Sequence, residues 1–296
     1  MRAGAILALA AFALAAQPRL LTNAKVDSRS AAAGLDREFR SLLAEEPQPA
    51  WIGWTVPSVR TYSLGCEYVS HDGWSAPGVV HLEPPDHAVV LFRVVNRAVE
   101  RIRALSPDCE IDAGGVPVHW LNDVKSAESV ALLAGFASDP EMAHNGALSA
   151  IAVHEGAAAD ETLDRFAAAG QPEDLRRRAI GWLGSARGHH GFETLSRLLA
   201  SDTSPALRTR AIGAIAESRE PDALSLLIAT ARNDRDAQVQ RRAISALGNL
   251  RAGKGVPVLI EIAQTSKSPD MRKHAMNALD QTHDPRAVAF FEQVLQ

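Results

Sequence analysis

Three short stretches of this sequence carry residue types that could do chemistry, and the first of them concerns phosphate. Residues 248–255 read G-N-L-R-A-G-K-G, one hydroxyl short of the phosphate-binding pattern G-x-x-x-x-G-K-[ST]. In that pattern, which follows a β-strand, backbone amides cradle the phosphates and the final hydroxyl binds magnesium. Here Gly255 occupies the hydroxyl position, and helical periodicity precedes Gly248. We therefore interpret the stretch as a turn between two helical units.

Histidines supply the second and third candidates. His154-Glu155 could donate an imidazole and a carboxylate to a metal ion, but the chain contains no second His-Glu pair. His189-His190 are flanked by glycines, and we interpret them as solvated loop residues rather than a weak metal site. A Ser-His-Asp hydrolase would carry its serine in a G-x-S-x-G elbow, which the sequence lacks. We therefore predict no catalytic, cofactor-binding or metal-binding residues.

A repeated phrase predicts the elements that position these residues. Similar segments start at Leu175, Leu207, Val239 and Met271, each 32 residues after the one before. Apolar positions at i, i+4, i+5 and i+8 of each segment indicate a helix, and an upstream column of leucines indicates a second helix in each unit. A fixed period with two helices per unit predicts a stacked solenoid. We expect a mainly α fold, a right-handed α-solenoid of about five 32-residue helix pairs over residues 126–296.

The phrase [LV]-R-x-x-A-x-x-[AW]-[LI], preceded by a Ser/Asp joint, resembles the HEAT-like repeats named after phycobilisome lyases. This resemblance implies an enzymatic alternative of two kinds. Bilin lyases with such repeats bind an open-chain tetrapyrrole, and relatives of deoxyhypusine hydroxylase hold a di-iron centre through several His-Glu pairs. An enzyme of either kind therefore stays open as an alternative to a non-catalytic scaffold.

Arginines recur at two positions of the predicted second helix, within its first turn or so. They form one set at Arg176, Arg208 and Arg272, and another at Arg178, Arg210 and Arg242. The helix dipole disfavours cations there, so aspartates in the adjoining joints could pair with them as an internal ladder. Alternatively, some of these arginines face the inner surface and bind an acidic partner segment. Trp182 stands in a column otherwise occupied by alanine, either as a packing spacer or as a further partner-binding residue.

The start of the sequence predicts that the protein is exported. Residues 1–16 combine one arginine, an apolar run and small residues, which is typical of a secretory signal peptide. The run is shorter than the ~20 residues that span a bilayer, so we expect no membrane span after cleavage and a periplasmic or secreted protein. Residues 17–50 indicate a leader and one amphipathic helix, whose apolar face would comprise Leu35, Phe39, Leu42 and Leu43.

Residues 51–122 predict a small β or α+β subdomain. Valine, glycine, proline and aromatic residues are frequent, and residues 87–105 indicate two strands around a turn near Asn96. In an exported protein, Cys66 and Cys109 most simply form one disulfide. We expect this subdomain to cap the first repeat, and ligand binding by its aromatic side chains stays open as an alternative.

Charge limits the kind of partner. The chain has 296 residues and a formal net charge of −4, which gives no support for nucleic-acid binding. A long curved surface without an assembled catalytic group favours an exported HEAT-repeat scaffold that mediates protein–protein interaction. The expected partner is a protein or peptide, and it is acidic if the arginines contact it.

Overall fold

The computed structural model of the chain describes residues 21–45, 49–62, 64–66 and 86–294. The predicted signal peptide, residues 1–16, lies outside these residues, so cleavage and export stay predictions. Within the described ranges, no helix is both long and apolar enough to cross a lipid bilayer.

The N-terminal part is a sheet with one helix. Its elements are β1 Leu21–Thr22, β2 Lys25–Ser30, α1 Leu35–Glu45, β3 Ala50–Pro57, β4 His87–Val95, β5 Ala98–Leu105, β6 Ile111–Asp112 and β7 Pro117–Asn122. Five strands form one sheet in the order β2-β7-β3-β4-β5, and β1 pairs with β6. β7 is parallel to both β2 and β3, whereas β3, β4 and β5 are antiparallel neighbours.

The β4–β5 hairpin confirms the two strands predicted over residues 87–105. Its turn residues Asn96 and Arg97 have φ angles of 52° and 63°. Positive φ at both central residues is what the two-residue type I′ turn requires, because its twist matches that of the flanking strands. The predicted small N-terminal sheet region is thus present, and with α1 it is α+β.

Part of the predicted leader belongs to the sheet. Residues 25–30 form β2 and pair with β7 along their whole length, so the sheet subdomain begins before the predicted boundary at residue 51. Strand β2 is exposed at nearly every position. It therefore lacks the apolar alternation by which a half-buried strand is recognised in a sequence.

Helix α1 packs on one face of the sheet through the predicted apolar side chains. Leu35, Phe39 and Leu42 are fully buried. The ring of Phe39 meets those of Trp54 and Phe92 edge-on, with centroids 6.2 and 4.8 Å apart. These aromatic side chains therefore form core.

The predicted disulfide between Cys66 and Cys109 is present, and the two Cα atoms lie 5.4 Å apart. Cys109 is buried with Val89, Leu91 and Trp120, on the sheet face opposite α1. The bond ties the segment after β3 to the segment after β5.

From residue 126 the described chain is helical. The helices are α2 Ser126–Ala137, α3 Pro140–Met142, α4 Leu148–Val153, α5 Ala157–Ala167, α6 Glu173–Ala186, α7 Gly188–Ser201, α8 Pro205–Glu217, α9 Ala223–Asn233, α10 Ala237–Gly248, α11 Val256–Thr265, α12 Pro269–Asp280 and α13 Pro285–Val294. A π-helical segment, Ala143–Ala147, joins α3 to α4. The first helices of successive units are α2, α5, α7, α9 and α11, and the second helices are α4, α6, α8, α10 and α12.

Small residues bring the second helices together. The predicted alanine column is fully buried at Ala179, Ala211, Ala243 and Ala275. Gly184 lies so close to Ala214 that a Cβ at residue 184 would overlap its side chain. Neighbouring second helices contact each other along their length, whereas neighbouring first helices contact each other much less. The stack is therefore a helical solenoid whose inner surface is lined by the second helices. Its handedness and the number of units stay predictions.

Residues 249–255 connect α10 to α11, as predicted for the stretch that resembles a phosphate loop. A helix precedes the stretch, and a 3-10 turn, Arg251–Gly253, lies within it. Arg286 Nη2 donates to the Gly253 carbonyl over 2.9 Å, so the turn is held by the unit that follows.

The edge of the sheet is covered by the start of the solenoid. The carbonyl of Ile102 in edge strand β5 lies against Gly146, which has φ 112° and no space for a Cβ. Beyond β3, the Val59 amide donates to the Val153 carbonyl over 2.9 Å, and Ser58 forms a β-bridge with His154. Covering an edge strand removes a template for unwanted strand pairing, and the role of the subdomain as a cap for the first repeat stays a prediction.

Candidate functional site

The two arginine positions have different surroundings. Arg208 is 1% exposed, and its Nη2 lies 3.0 Å from Asp234 Oδ1 of the following unit. Its Nη1 donates to the Asp202 carbonyl over 2.9 Å. One guanidinium therefore bonds both to its own joint and to the joint of the next unit.

Arg176 follows the same pattern, whereas Arg272 shares only the bond to its own joint. Arg176 pairs with Asp202 and donates from Nε to the Ala167 carbonyl over 2.9 Å. Arg272 donates to the Ser266 carbonyl over 2.7 Å. Arg176 and Arg208 are thereby withdrawn from a partner, and the internal-ladder interpretation describes the geometry of this first set.

Arg178, Arg210 and Arg242 form a second row, which we call the inner row, on the surface lined by the second helices. The Arg210 guanidinium lies directly over Gly181 of the preceding helix, where a Cβ would collide with it. Arg242 repeats this arrangement over Gly213, with Nη2 3.0 Å from the place a Cβ would occupy. Glycine therefore makes room for each guanidinium to lie flat across the neighbouring helix.

The charges of the inner row are largely uncompensated. Arg210 and Arg242 are exposed, and within the described ranges neither forms an ion pair; Arg210 Nε donates to the Arg177 carbonyl over 3.4 Å. Arg178 is more engaged, since its Nε bonds to Asp174 over 2.7 Å and its Nη1 lies 2.8 Å from His144 Nδ1. Two guanidinium groups thus face solvent on the concave side.

A cleft lies at the C-terminal end of the inner row. It has a volume of about 570 Å³ and lies between the C-terminal ends of α8 and α10. Its charged lining residues are Arg219, Arg242, Arg251 and Lys254 together with Glu217 and Glu220. The sequence analysis missed this cluster, because three of its cations lie in turns outside the repeated phrase.

A second groove lies at the N-terminal end of the row, between the sheet and the solenoid. Its volume is about 430 Å³, and its lining includes Tyr62, Arg101, His144 and Trp182. The indole of Trp182 meets Tyr62 edge-on, with centroids 5.6 Å apart. The Trp182 ring therefore packs against the segment after β3, and this packing explains why a large side chain stands in the column otherwise occupied by alanine. Its half-buried ring still contributes to the wall of the groove.

His154 does not offer a metal ligand. It is fully buried, with Nδ1 2.6 Å from the Ala150 carbonyl and Nε2 2.8 Å from Ser129 Oγ. Trp54 Nε1 donates to the same Ser129 Oγ over 2.9 Å. The pKa of His154 is lowered to about 4, mainly by burial and also by the nearby Arg187 charge, against the opposing effect of the Ala150 hydrogen bond. Both ring nitrogens are engaged, so the neutral imidazole links α4 to α2, and Ser129 extends the connection to Trp54 of the sheet.

Arg187 is a structural residue that the sequence analysis did not identify. Its Nε lies 2.7 Å from Asp160 Oδ1, and its Nη1 donates to the carbonyls of Ala152 and His154 over 3.0 and 2.6 Å. This guanidinium closes the α4–α5 turn from the following unit. In the sequence, this structural role was indicated only by the position of Arg187 directly after an apolar helix.

His189 and His190 belong to the first turn of α7, not to the loop that we predicted. His189 Nδ1 lies 2.9 Å from Glu220 Oε2, and that hydrogen bond raises its pKa. His190 Nε2 lies 3.1 Å from Asp164 Oδ2. Within the described ranges, no group of three or more His, Cys, Asp or Glu side chains is placed to hold a metal ion.

Comparisons with known proteins bear on the helical part. Residues 161–239 and 226–296 match the HEAT repeats family. The chain is similar to the complex of CpcE and CpcF of phycocyanin lyase from Nostoc sp. PCC7120, at 20% identity and a TM-score of 0.38, over 52% of this chain and 99% of that one. It is also similar to human deoxyhypusine hydroxylase in complex with glycerol, at 19% identity and a TM-score of 0.36, over 56% of this chain and 66% of that one.

With TM-scores this low, neither likeness supports a conclusion about this chain. No curated protein matches it. The family match and the stacked helix pairs agree with each other, and the narrower resemblance to phycobilisome lyases stays a prediction. The match to the HEAT repeats family thus covers the helix pairs from residue 161 onwards.

Proposed function

We propose that this chain is an exported, non-catalytic HEAT-repeat scaffold that binds an acidic segment of a partner protein on its inner surface. The observation that carries the proposal is the contrast between the two arginine positions. Arg176 and Arg208 form ion pairs within the chain and are not exposed to a partner. Arg210 and Arg242 are exposed over glycines of the neighbouring helix.

The electrostatics of these positions favour an anionic ligand. Arg210 and Arg242 are exposed, and within the described part of the chain no carboxylate pairs with them. A carboxylate that approaches such a guanidinium accepts two parallel hydrogen bonds. Gly181 and Gly213 leave room for the Arg210 and Arg242 guanidinium groups, and both arginines are exposed to an incoming ligand.

Export is supported by two features of different kinds. The disulfide between Cys66 and Cys109 is of a type that persists in oxidising compartments. Residues 1–16 have the composition of a signal peptide. The partner segment would therefore meet the inner row in the periplasm or outside the cell.

Binding of a fluorescein-labelled glutamate-rich peptide to the purified chain tests the proposal. We expect the anisotropy titration of the double variant Arg210→Gln, Arg242→Gln to give an affinity about tenfold weaker, because two exposed pairs at roughly 0.7 kcal/mol each are lost. Arg232→Gln is the matched control. Arg232 is an exposed arginine on first helix α9 that pairs with Glu261 over 2.8 Å, and its loss should leave the affinity unchanged.

Two outcomes would contradict the proposal. Equal affinities of the natural chain and the double variant would show that the inner row is not the binding surface. Displacement of the peptide by a single-stranded oligonucleotide of the same charge and concentration would show an unspecific polyanion surface rather than a protein-binding site.

A further inference from the structure

We infer that the segment bound by the inner row is a polyproline II stretch with acidic residues at every third position. This inference rests on the proposed function, and it adds the conformation and the spacing of the ligand. It follows from how closely the second helices that carry the row pack together and from what surrounds the arginines.

The spacing of the inner row is set by the spacing of the second helices. Arg178, Arg210 and Arg242 occupy equivalent positions 32 residues apart. Packed helices lie 8–10 Å apart, and small side chains at the contact favour the short end of that range. Here the contacts are of that kind, since Gly184 touches Ala214 and Gly248 touches Ala278. Successive carboxylates of a ligand must therefore lie about 9 Å apart, on one side of its backbone.

A polyproline II helix meets this requirement. It has three residues per turn and rises about 3.1 Å per residue, so every third side chain points in the same direction at intervals of about 9.3 Å. A β-strand rises about 3.3 Å per residue with side chains on alternating faces. Its side chains on one face recur at about 6.6 and 13 Å, and neither interval fits the row.

An amphipathic helix is not suited to this surface. Helices that dock into grooves do so through apolar anchors, and they need an apolar groove. Within the described ranges, the large apolar side chains that are exposed are Val26, Val288 and Val294. These residues lie in β2 and α13, away from the second helices. The inner row instead presents exposed guanidinium groups, which suit an extended and well-solvated chain.

Three peptides of identical composition, each with three glutamates and four prolines, test the spacing. In the first the glutamates are three residues apart (E-P-P-E-P-P-E), in the second two apart (P-E-P-E-P-E-P), and in the third adjacent (P-P-E-E-E-P-P). We expect the first peptide to bind the natural chain about threefold tighter than either isomer, because a wrongly spaced isomer keeps one pair with the row and loses the other. We also expect the double variant Arg210→Gln, Arg242→Gln to remove this preference, and Arg232→Gln to retain it.

The outcomes separate this inference from the proposed function. Equal binding of the three peptides, with weaker binding of all three to the double variant, would overturn the spacing and leave the acidic-segment function standing. Tighter binding of the adjacent or two-apart isomer would do the same. Failure of every peptide to bind, or equal binding by the double variant, would overturn both.

Discussion

Acid should weaken the joint between the sheet and the solenoid through one residue, His154. The folded chain keeps this imidazole neutral and lowers its pKa from 6.5 to about 4, mainly because burial disfavours the charged form. The unfolded chain takes up the proton as the pH falls through 6.5, whereas the folded chain resists until about pH 4. The free energy of unfolding is therefore fully retained above pH 6.5 and is lost progressively between pH 6.5 and 4.

The size of the effect follows from the shift in pKa. Each unit corresponds to about 1.4 kcal/mol, so the complete loss is about 3 kcal/mol, and about 2.5 kcal/mol of it is reached at pH 4.5. A proton on His154 Nε2 would make that nitrogen a donor, so the Ser129 hydroxyl could no longer donate to it. Ser129 Oγ would then accept from both His154 and Trp54, and its own proton would lose its acceptor. Protonation would therefore destabilise the packing of α2 and α4 against the sheet.

Urea unfolding followed by tryptophan fluorescence at pH 7.5 and 4.5 measures this loss. Other carboxylates titrate over the same range, so the informative quantity is a difference between variants. His154→Gln should lose about 2.5 kcal/mol less than the natural chain when the pH is lowered. His283→Gln, which removes an exposed histidine, should lose as much as the natural chain. An equal loss for His154→Gln and the natural chain would refute the reasoning.

Three further perturbations probe packing, ion pairs and the disulfide. Gly146→Ala should lower the free energy of unfolding by about 3 kcal/mol, because the new Cβ would overlap the edge of the sheet and because the residue has a positive φ. Gly135→Ala is the control: Gly135 has open space around it, and the change should not destabilise the helix. Asp234→Ala should lower the free energy of unfolding in urea by about 3 kcal/mol, because it leaves a buried guanidinium without its carboxylate. Asp270→Ala breaks an exposed pair and should lower it by under about 1 kcal/mol. Equal costs would contradict the internal ladder. Reducing the disulfide, whose cysteines are 43 residues apart, should lower stability by about 4 kcal/mol, and an unchanged melting temperature in reductant would contradict this.

Local patterns in the sequence predicted much of the fold. The 32-residue period placed the helices, because alanine and leucine recur wherever one helix meets the next. The hairpin around Asn96 and helix α1 were predicted for the same reason, since each is defined by neighbours within one element. Strand β2 was not predicted, because its partner β7 is distant in sequence and its own side chains are exposed.

The candidate site was only half predictable. The sequence placed arginines at two positions of each second helix but left open which of them faced the joint. Residues two apart on a helix point in nearly opposite directions, so the packing of each helix on its neighbour decided the matter. Arg208 was turned into the seam and Arg210 onto the inner surface. The packing of Trp182 likewise depends on its contact with Tyr62, which lies in the segment after β3.

By itself, the sequence determined the repeat, its helices and the residues that recur in it, because these depend on interactions between near neighbours. Only the tertiary structure decided which charges are neutralised, which are exposed and where the sheet meets the solenoid. Those properties depend on contacts between units, and a linear pattern records the presence of a side chain but not the direction in which packing turns it.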